Sequence, residues 1–172
     1  MTIEPDTKDW TWVLDRPCPE CGYDAATTDP SGVGDAVRTA VPRWQAALAR
    51  PDARRRPQPT VWSPLEYGAH VRDVLRIFDE RLRLMLAQDD PLFANWDQDA
   101  TAVAERYDLQ DPAVVSDELA AAAAVIAADF DAVPADAWDR PGRRSNGSVF
   151  TVASFAVYFL HDVVHHLWDV RA

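Results

Sequence analysis

Cysteine is scarce in this chain, with two in 172 residues, and two thiols cannot build the disulfide framework of a small secreted domain. Lysine is scarcer still: Lys8 stands alone beside sixteen arginines. The one short basic run, Arg54-Arg55-Arg56, lies in a proline-rich stretch and reads as a solvated loop. With a net charge of −11 the chain lacks the clustered cations that phosphate backbones require, which excludes nucleic acid as a partner. No apolar run approaches the ~20 residues of a membrane span, so no membrane partner is expected. Residues 1–15 lack the basic start and apolar stretch of a secretory leader, and a cytoplasmic location is expected. What is abundant is alanine, arginine and tryptophan. Seven tryptophans supply large area for a core, and the arginine-alanine bias is that of a GC-rich coding sequence. The length suits one domain with a single core.

Hydrophobic periodicity divides the chain into an irregular N-terminal arm, residues 1–30, and a helical domain, residues 31–172. Pro5, Pro17, Pro19 and Pro30 break up the arm, and Trp10 and Trp12 are expected to dock it on the body. A first helix is expected over about 34–49, with Val37, Val41, Trp44 and Leu48 at helical spacing and a kink or late start at Pro42. Ser63-Pro64-Leu65-Glu66 offers an N-cap, a proline at the first helical position and a capping-box glutamate. It opens a second helix that ends near Ala87. Residues 88–111 form a long connection with room for a short helix. A third helix runs from about Asp111-Pro112 to before Pro134, and a fourth from about Val149 to Val170. No strand-period stretch competes with these. The expected fold is all-α, a four-helix bundle, a class that places metal sites among side chains of facing helices.

Four histidines carry the chemistry. Three lie in His161-Asp162-Val163-Val164-His165-His166. Residues four apart on a helix share a face, so His161 and His165 project together. His166 lies about 140° around the helix from His161 at ~100° per residue and reads as a surface or supporting group. A rival register pairs Asp162 with His166. Ser154, Tyr158, His161, His165 and Asp169 form one polar line on an otherwise apolar helix. Two imidazoles buried there are costly unless paired or ligated. His70 shares the inward stripe of the second helix with Tyr67, Val74 and Ile77. It is either a hydrogen-bonded core histidine or the third ligand of a cation bound by His70, His161 and His165.

These residues resemble the DinB/YfiT-like superfamily of metalloenzymes. Trp62-Ser63-Pro64-Leu65-Glu66-Tyr67-Gly68-Ala69-His70 is similar to the start of the family's second helix, where its first metal histidine sits. His161-Asp162-Val163-Val164-His165 is similar to its H-x-x-x-H pair, and about 90 residues separate the two. The resemblance spans Gly34 to the C-terminus. It implies a four-helix bundle holding a divalent ion, zinc or nickel, on His70, His161 and His165, with an open coordination position. Related proteins include mycothiol-dependent isomerases and low-molecular-weight thiol transferases, so the resemblance also implies a small-molecule substrate, a thiol co-substrate and an actinobacterial source. The mycothiol isomerase branch carries Glu where His161 stands and has an extra C-terminal domain, which argues against maleylpyruvate as substrate. Bundles of this family often pair, and a homodimer is expected. Three neutral ligands leave an ion its full charge, to acidify a bound water or hold a thiolate, and Asp169 or Glu66 is placed to orient an imidazole.

Pro17-Cys18-Pro19-Glu20-Cys21-Gly22-Tyr23 looks like half of a zinc site, but the chain has no second cysteine pair to complete a four-cysteine cage. Packed thiols, a redox disulfide, or contact with the metal site should the arm fold over the bundle mouth are the readings open to it. Three functions follow: a metal-dependent transferase or hydrolase, a non-catalytic metal- or ligand-binding stress-response protein, and a redox module built on Cys18 and Cys21.

Overall fold

The computed structural model describes Ile3, Pro5 and residues 9–172. Residues 1, 2, 4 and 6–8, part of the expected arm, lie outside the described residues. The long helices are α1 (Val33–Leu48), α2 (Pro64–Ala87), α4 (Pro112–Asp131) and α5 (Val152–Asp169), with a short α3 (Gln98–Ala104) in the connection between α2 and α4. The result is the expected four-helix bundle.

The helix starts are set by side chains that satisfy the first free N–H groups. At α2 the Ser63 hydroxyl accepts from the Glu66 N–H at 3.3 Å and the Glu66 carboxylate accepts from the Ser63 N–H at 2.8 Å, the reciprocal cap read from the sequence. Asp111 caps α4 by accepting from the N–H groups of Ala113 and Val114, ahead of Pro112. Thr151 and Ser154 cap α5 in the same reciprocal way. α1 runs through Pro42 without a break.

α4 packs along α1 and α2, and α5 closes the bundle against the same two helices. Trp44, Leu75, Leu82, Met85, Leu119, Ile126, Phe130, Phe155 and Phe159 form the centre of a continuous core. The structure departs from an all-helix reading in one place. Leu92–Phe93 (β1) pairs in parallel with Pro141–Arg144 (β2), which pairs antiparallel with Val149–Thr151 (β3). Strands of two to four residues are too short to show a two-residue period, and β3 takes up the residues expected to begin α5.

The arm packs on α5. Trp10–Leu14 forms a 3₁₀ turn that buries Val13, a second turn at Ala25–Thr27 also meets α5, and the Tyr23 hydroxyl donates to the Val157 carbonyl at 2.8 Å. Trp10 docks as expected, against the rings of His161 and His165, while Trp12 packs on Trp10.

Candidate metal centre

α5 carries potential ligands on two adjacent lines, 161/165 and 162/166, displaced by one residue and hence by ~100° around the axis. The rotation of α5 in the bundle turns the second line toward α2 and leaves the first beneath the arm. The ligand atoms fall accordingly into two groups, each with all its atoms within 4.8 Å of one another: His70 with Asp162 and His166, and His161 and His165 with Cys18 and Cys21. The three histidines grouped from the sequence are thus apportioned between neighbouring clusters. The register pairing Asp162 with His166 is the one that faces His70.

In the first cluster, Asp162 Oδ1 lies 3.6 Å from His70 Nε2 and 3.3 Å from His166 Nε2. Among the described residues, buried Asp162 Oδ1 and His70 Nδ1 have no hydrogen-bond partner. The other nitrogen of His166, Nδ1, is 2.7 Å from Asp169 Oδ2. The His70 ring stacks on Trp96 with centroids 5.5 Å apart and planes 7° from parallel, and leans on Trp62 at 5.2 Å. Asp169, one of the two carboxylates expected to orient an imidazole, does so. Glu66, the other, is committed to the α2 cap and to a paired contact with the Arg56 guanidinium.

In the second cluster, Cys18 Sγ is 3.7 Å from His165 Nδ1, and the opposite ring nitrogen of His165 faces Glu20 at 3.3 Å and Asp169 at 3.9 Å. Buried His161 Nε2 has no hydrogen-bond partner among the described residues. The Cys18-Cys21 turn is closed by backbone bonds from Gly22 N–H to the Cys18 carbonyl and from Cys18 N–H to the Tyr23 carbonyl, with Gly22 at φ 75°. That left-handed conformation suits glycine. The signals for this second group are a Cys-x2-Cys in the arm and a His-x3-His on α5, and of the readings open to the cysteines it is the one in which the arm folds over the bundle and brings them to metal-site histidines.

Burial governs the protonation of both clusters. It pushes His70 and His165 down and lowers His161 to about 4, where neighbouring His165 adds to the effect, so all three rings are neutral near pH 7. Burial alone would raise the Asp162 carboxyl, but His70, His166 and His161 outweigh it and hold it at about 2. Burial pushes the Cys21 thiol up to about 11, only partly opposed by the Tyr23 backbone N–H. A neutral His70 beside an ionised Asp162 carboxylate is the pairing of protonation states a cation requires.

Asp162 and His166 of the first cluster and His161 and His165 of the second line one cleft of about 680 Å³, walled also by Trp10, Tyr67, Trp96, Tyr158, Arg81 and Arg144. Its volume is that of a small-molecule site. Among the described residues no helix is long and apolar enough to cross a membrane.

The family model of the DinB superfamily matches residues 34–170. Among solved structures, YfiT from Bacillus subtilis, described as a probable metal-dependent hydrolase with an unusual four-helix bundle topology, aligns with a TM-score of 0.64. The alignment covers 98% of this chain and 91% of that one at 14% identity, a likeness of fold. No curated protein matches the chain. The family match takes in both ligand-bearing helices and stops short of the cysteine-bearing arm: the chain belongs to the DinB superfamily.

Proposed function

We propose that this protein is a metal-dependent enzyme acting on a small molecule in the cleft, with a divalent ion, zinc or nickel, held by His70, Asp162 and His166. The observation that carries the reading is the convergence of these three ligand atoms within 4.8 Å of one another, with Asp162 and His166 lining the cleft. Ligands sharing a tetrahedral zinc ion stand about 3.4 Å apart, from bond lengths near 2.1 Å, and Asp162 Oδ1 lies at 3.3 and 3.6 Å from its two imidazole partners without making a hydrogen bond to either. A buried carboxylate oxygen left in that state is costly, and a cation would satisfy it. Two histidines and one carboxylate form a three-ligand set of the kind that keeps an open position in catalytic zinc sites.

When bound, the ion supplies Lewis acidity, lowering the pKa of a water or thiol beside it. The chain's own residues do the rest. Asp169 accepts the Nδ1 proton of His166 and so turns its Nε2 lone pair toward Asp162. Trp96 and Trp62 hold the His70 ring in place. Arg81 and Arg144 give the cleft a cationic side suited to an anionic group on the substrate.

Both water and a low-molecular-weight thiol are candidate nucleophiles. The likeness to YfiT supports hydrolysis. Thiol transfer is supported by the resemblance to a superfamily that includes low-molecular-weight thiol transferases. The test is metal analysis of the purified protein with a screen of ester, amide and electrophile substrates, with and without mycothiol-type thiols. Asp162→Asn and His166→Ala are each expected to lose one ion and all turnover. If both keep their metal and only His70→Ala and His161→Ala lose it, the ion belongs to His70, His161 and His165 instead. Full metal loading with no turnover of any substrate class would make the protein a non-catalytic binder.

A further inference from the structure

We infer that Cys18, Cys21, His161 and His165 form a second metal site, a closed four-ligand zinc clasp that fastens the N-terminal arm to α5. The four ligand atoms lie within 4.8 Å of one another. Around a tetrahedral zinc with sulfur at about 2.3 Å and nitrogen at about 2.0–2.1 Å, ligand atoms are separated by roughly 3.3–3.8 Å, and the Cys18 Sγ to His165 Nδ1 distance is 3.7 Å. The donor set is the Cys2His2 combination of structural zinc sites, with two residues between the cysteines and three between the histidines. The ligands come from a loop and a helix, Cys18 and His165 being 147 positions apart.

Two further observations point to a cation. His161 is 3% exposed, and its Nε2 is buried without a partner among the described residues although polar rings at such positions are nearly always satisfied. The second nitrogen of His165 already faces carboxylates, Glu20 at 3.3 Å and Asp169 at 3.9 Å, the outer contact that aligns a metal-bound imidazole. Neither thiol is in a disulfide.

Four protein ligands leave no position for water or substrate, so the role of this ion is structural. It fixes Cys18 and Cys21 to α5 and thereby holds Glu20, within the cysteine turn, and Trp10, in the 3₁₀ turn before it, in the wall of the cleft. The clasp and the reactive centre stand on adjacent lines of one helix and share Asp169, whose Oδ2 faces both His165 and His166.

Cobalt-substituted full-length protein tests this without any variant. Thiolate ligation gives an intense sulfur-to-cobalt charge-transfer band in the near ultraviolet with tetrahedral visible bands, whereas the His70–Asp162–His166 site contributes no thiolate band. Zinc-loaded wild type is expected to hold two ions per chain. Cys18→Ser with Cys21→Ser should retain one and lose the thiolate band, and Asp162→Asn should retain one and keep it. Absence of the band from cobalt-loaded wild type overturns the clasp, as does free reaction of both cysteines with a thiol reagent in folded, zinc-loaded protein. A single ion with the thiolate band, unaffected by Asp162→Asn, leaves the clasp standing and removes the reactive centre.

Discussion

Single atoms decide what α5 can hold. Asp162 and His161 differ by one position, yet one faces α2 and the other the arm, and each leaves a buried atom unpaired, Oδ1 in one case and Nε2 in the other. Away from the cleft, Asp79 illustrates the cost of such placement. Burial, the neighbouring Asp129 and Glu80 raise its carboxyl to about 6, and Arg83 only partly opposes them. One of its oxygens is 3.1 Å from Arg83 while the other has no partner. The unfolded carboxyl titrates near 4, so between about pH 4 and 6 the folded state binds the proton more tightly. Stability therefore falls as pH rises through that window. Asp79→Asn is expected to match wild type near pH 4 and to exceed it near pH 7.5, by about 1 kcal/mol once solvent screening is allowed for. Urea unfolding at the two pH values would show this, and an equal or lower stability at the higher pH would contradict it.

At the scale of elements, the second helix depends on its first turn. Ser63 is 1% exposed, and its hydroxyl both donates to the Glu66 carboxylate at 2.8 Å and accepts from the Glu66 N–H. Arg56 closes on the same carboxylate. Ser63→Ala should lower stability by about 1–2 kcal/mol, at the upper end for a cap because the freed groups are buried, with the change read from the denaturation midpoint. This helix was also the most legible in the sequence, since capping residues and a 3.6-residue stripe are local signals. The same holds for α4, where Val115, Leu119, Ile126 and Phe130 are buried as their spacing predicts. The small sheet was not legible, because β1, β2 and β3 pair across long separations with too few residues each to show a pattern. The candidate site was legible in its ingredients, His70 and the α5 pairs. The grouping was not, because a one-residue choice of register is made by how α5 is rotated against α2 and by what covers its other side, neither of which is encoded in the helix's own periodicity.

For the whole molecule, the arm is the part least explained by the bundle. The family match begins at residue 34, and the side chains buried in the turns before it are small, Val13, Cys18 and Ala25, with Leu14 and Tyr23 partly buried against the core. A segment with so little apolar area gains little from packing to offset the entropy of ordering it. Aromatic contacts of Trp10 with His161 and His165, at 5.5 and 4.9 Å, help, but such pairs add only about 0.5–1.5 kcal/mol each. A metal ion bound only when the arm is docked stabilises docking by mass action, by about 2.7 kcal/mol at a hundredfold excess over its dissociation constant. Tyr23 lies in this segment, half-buried two residues after Cys21 and bonded through its hydroxyl to the Val157 carbonyl, and offers a chymotrypsin site that reports arm opening in the intact chain. With zinc bound, chymotryptic cleavage after Tyr23 is expected to be slow; a chelator should accelerate it about a hundredfold while α1 through α5 stay resistant. Cys21→Ser should be cleaved at the fast rate even in excess zinc, whereas Asp162→Asn should remain protected. Equal cleavage of wild type with and without chelator would mean that packing alone secures the arm, and that no ion joins it to the bundle.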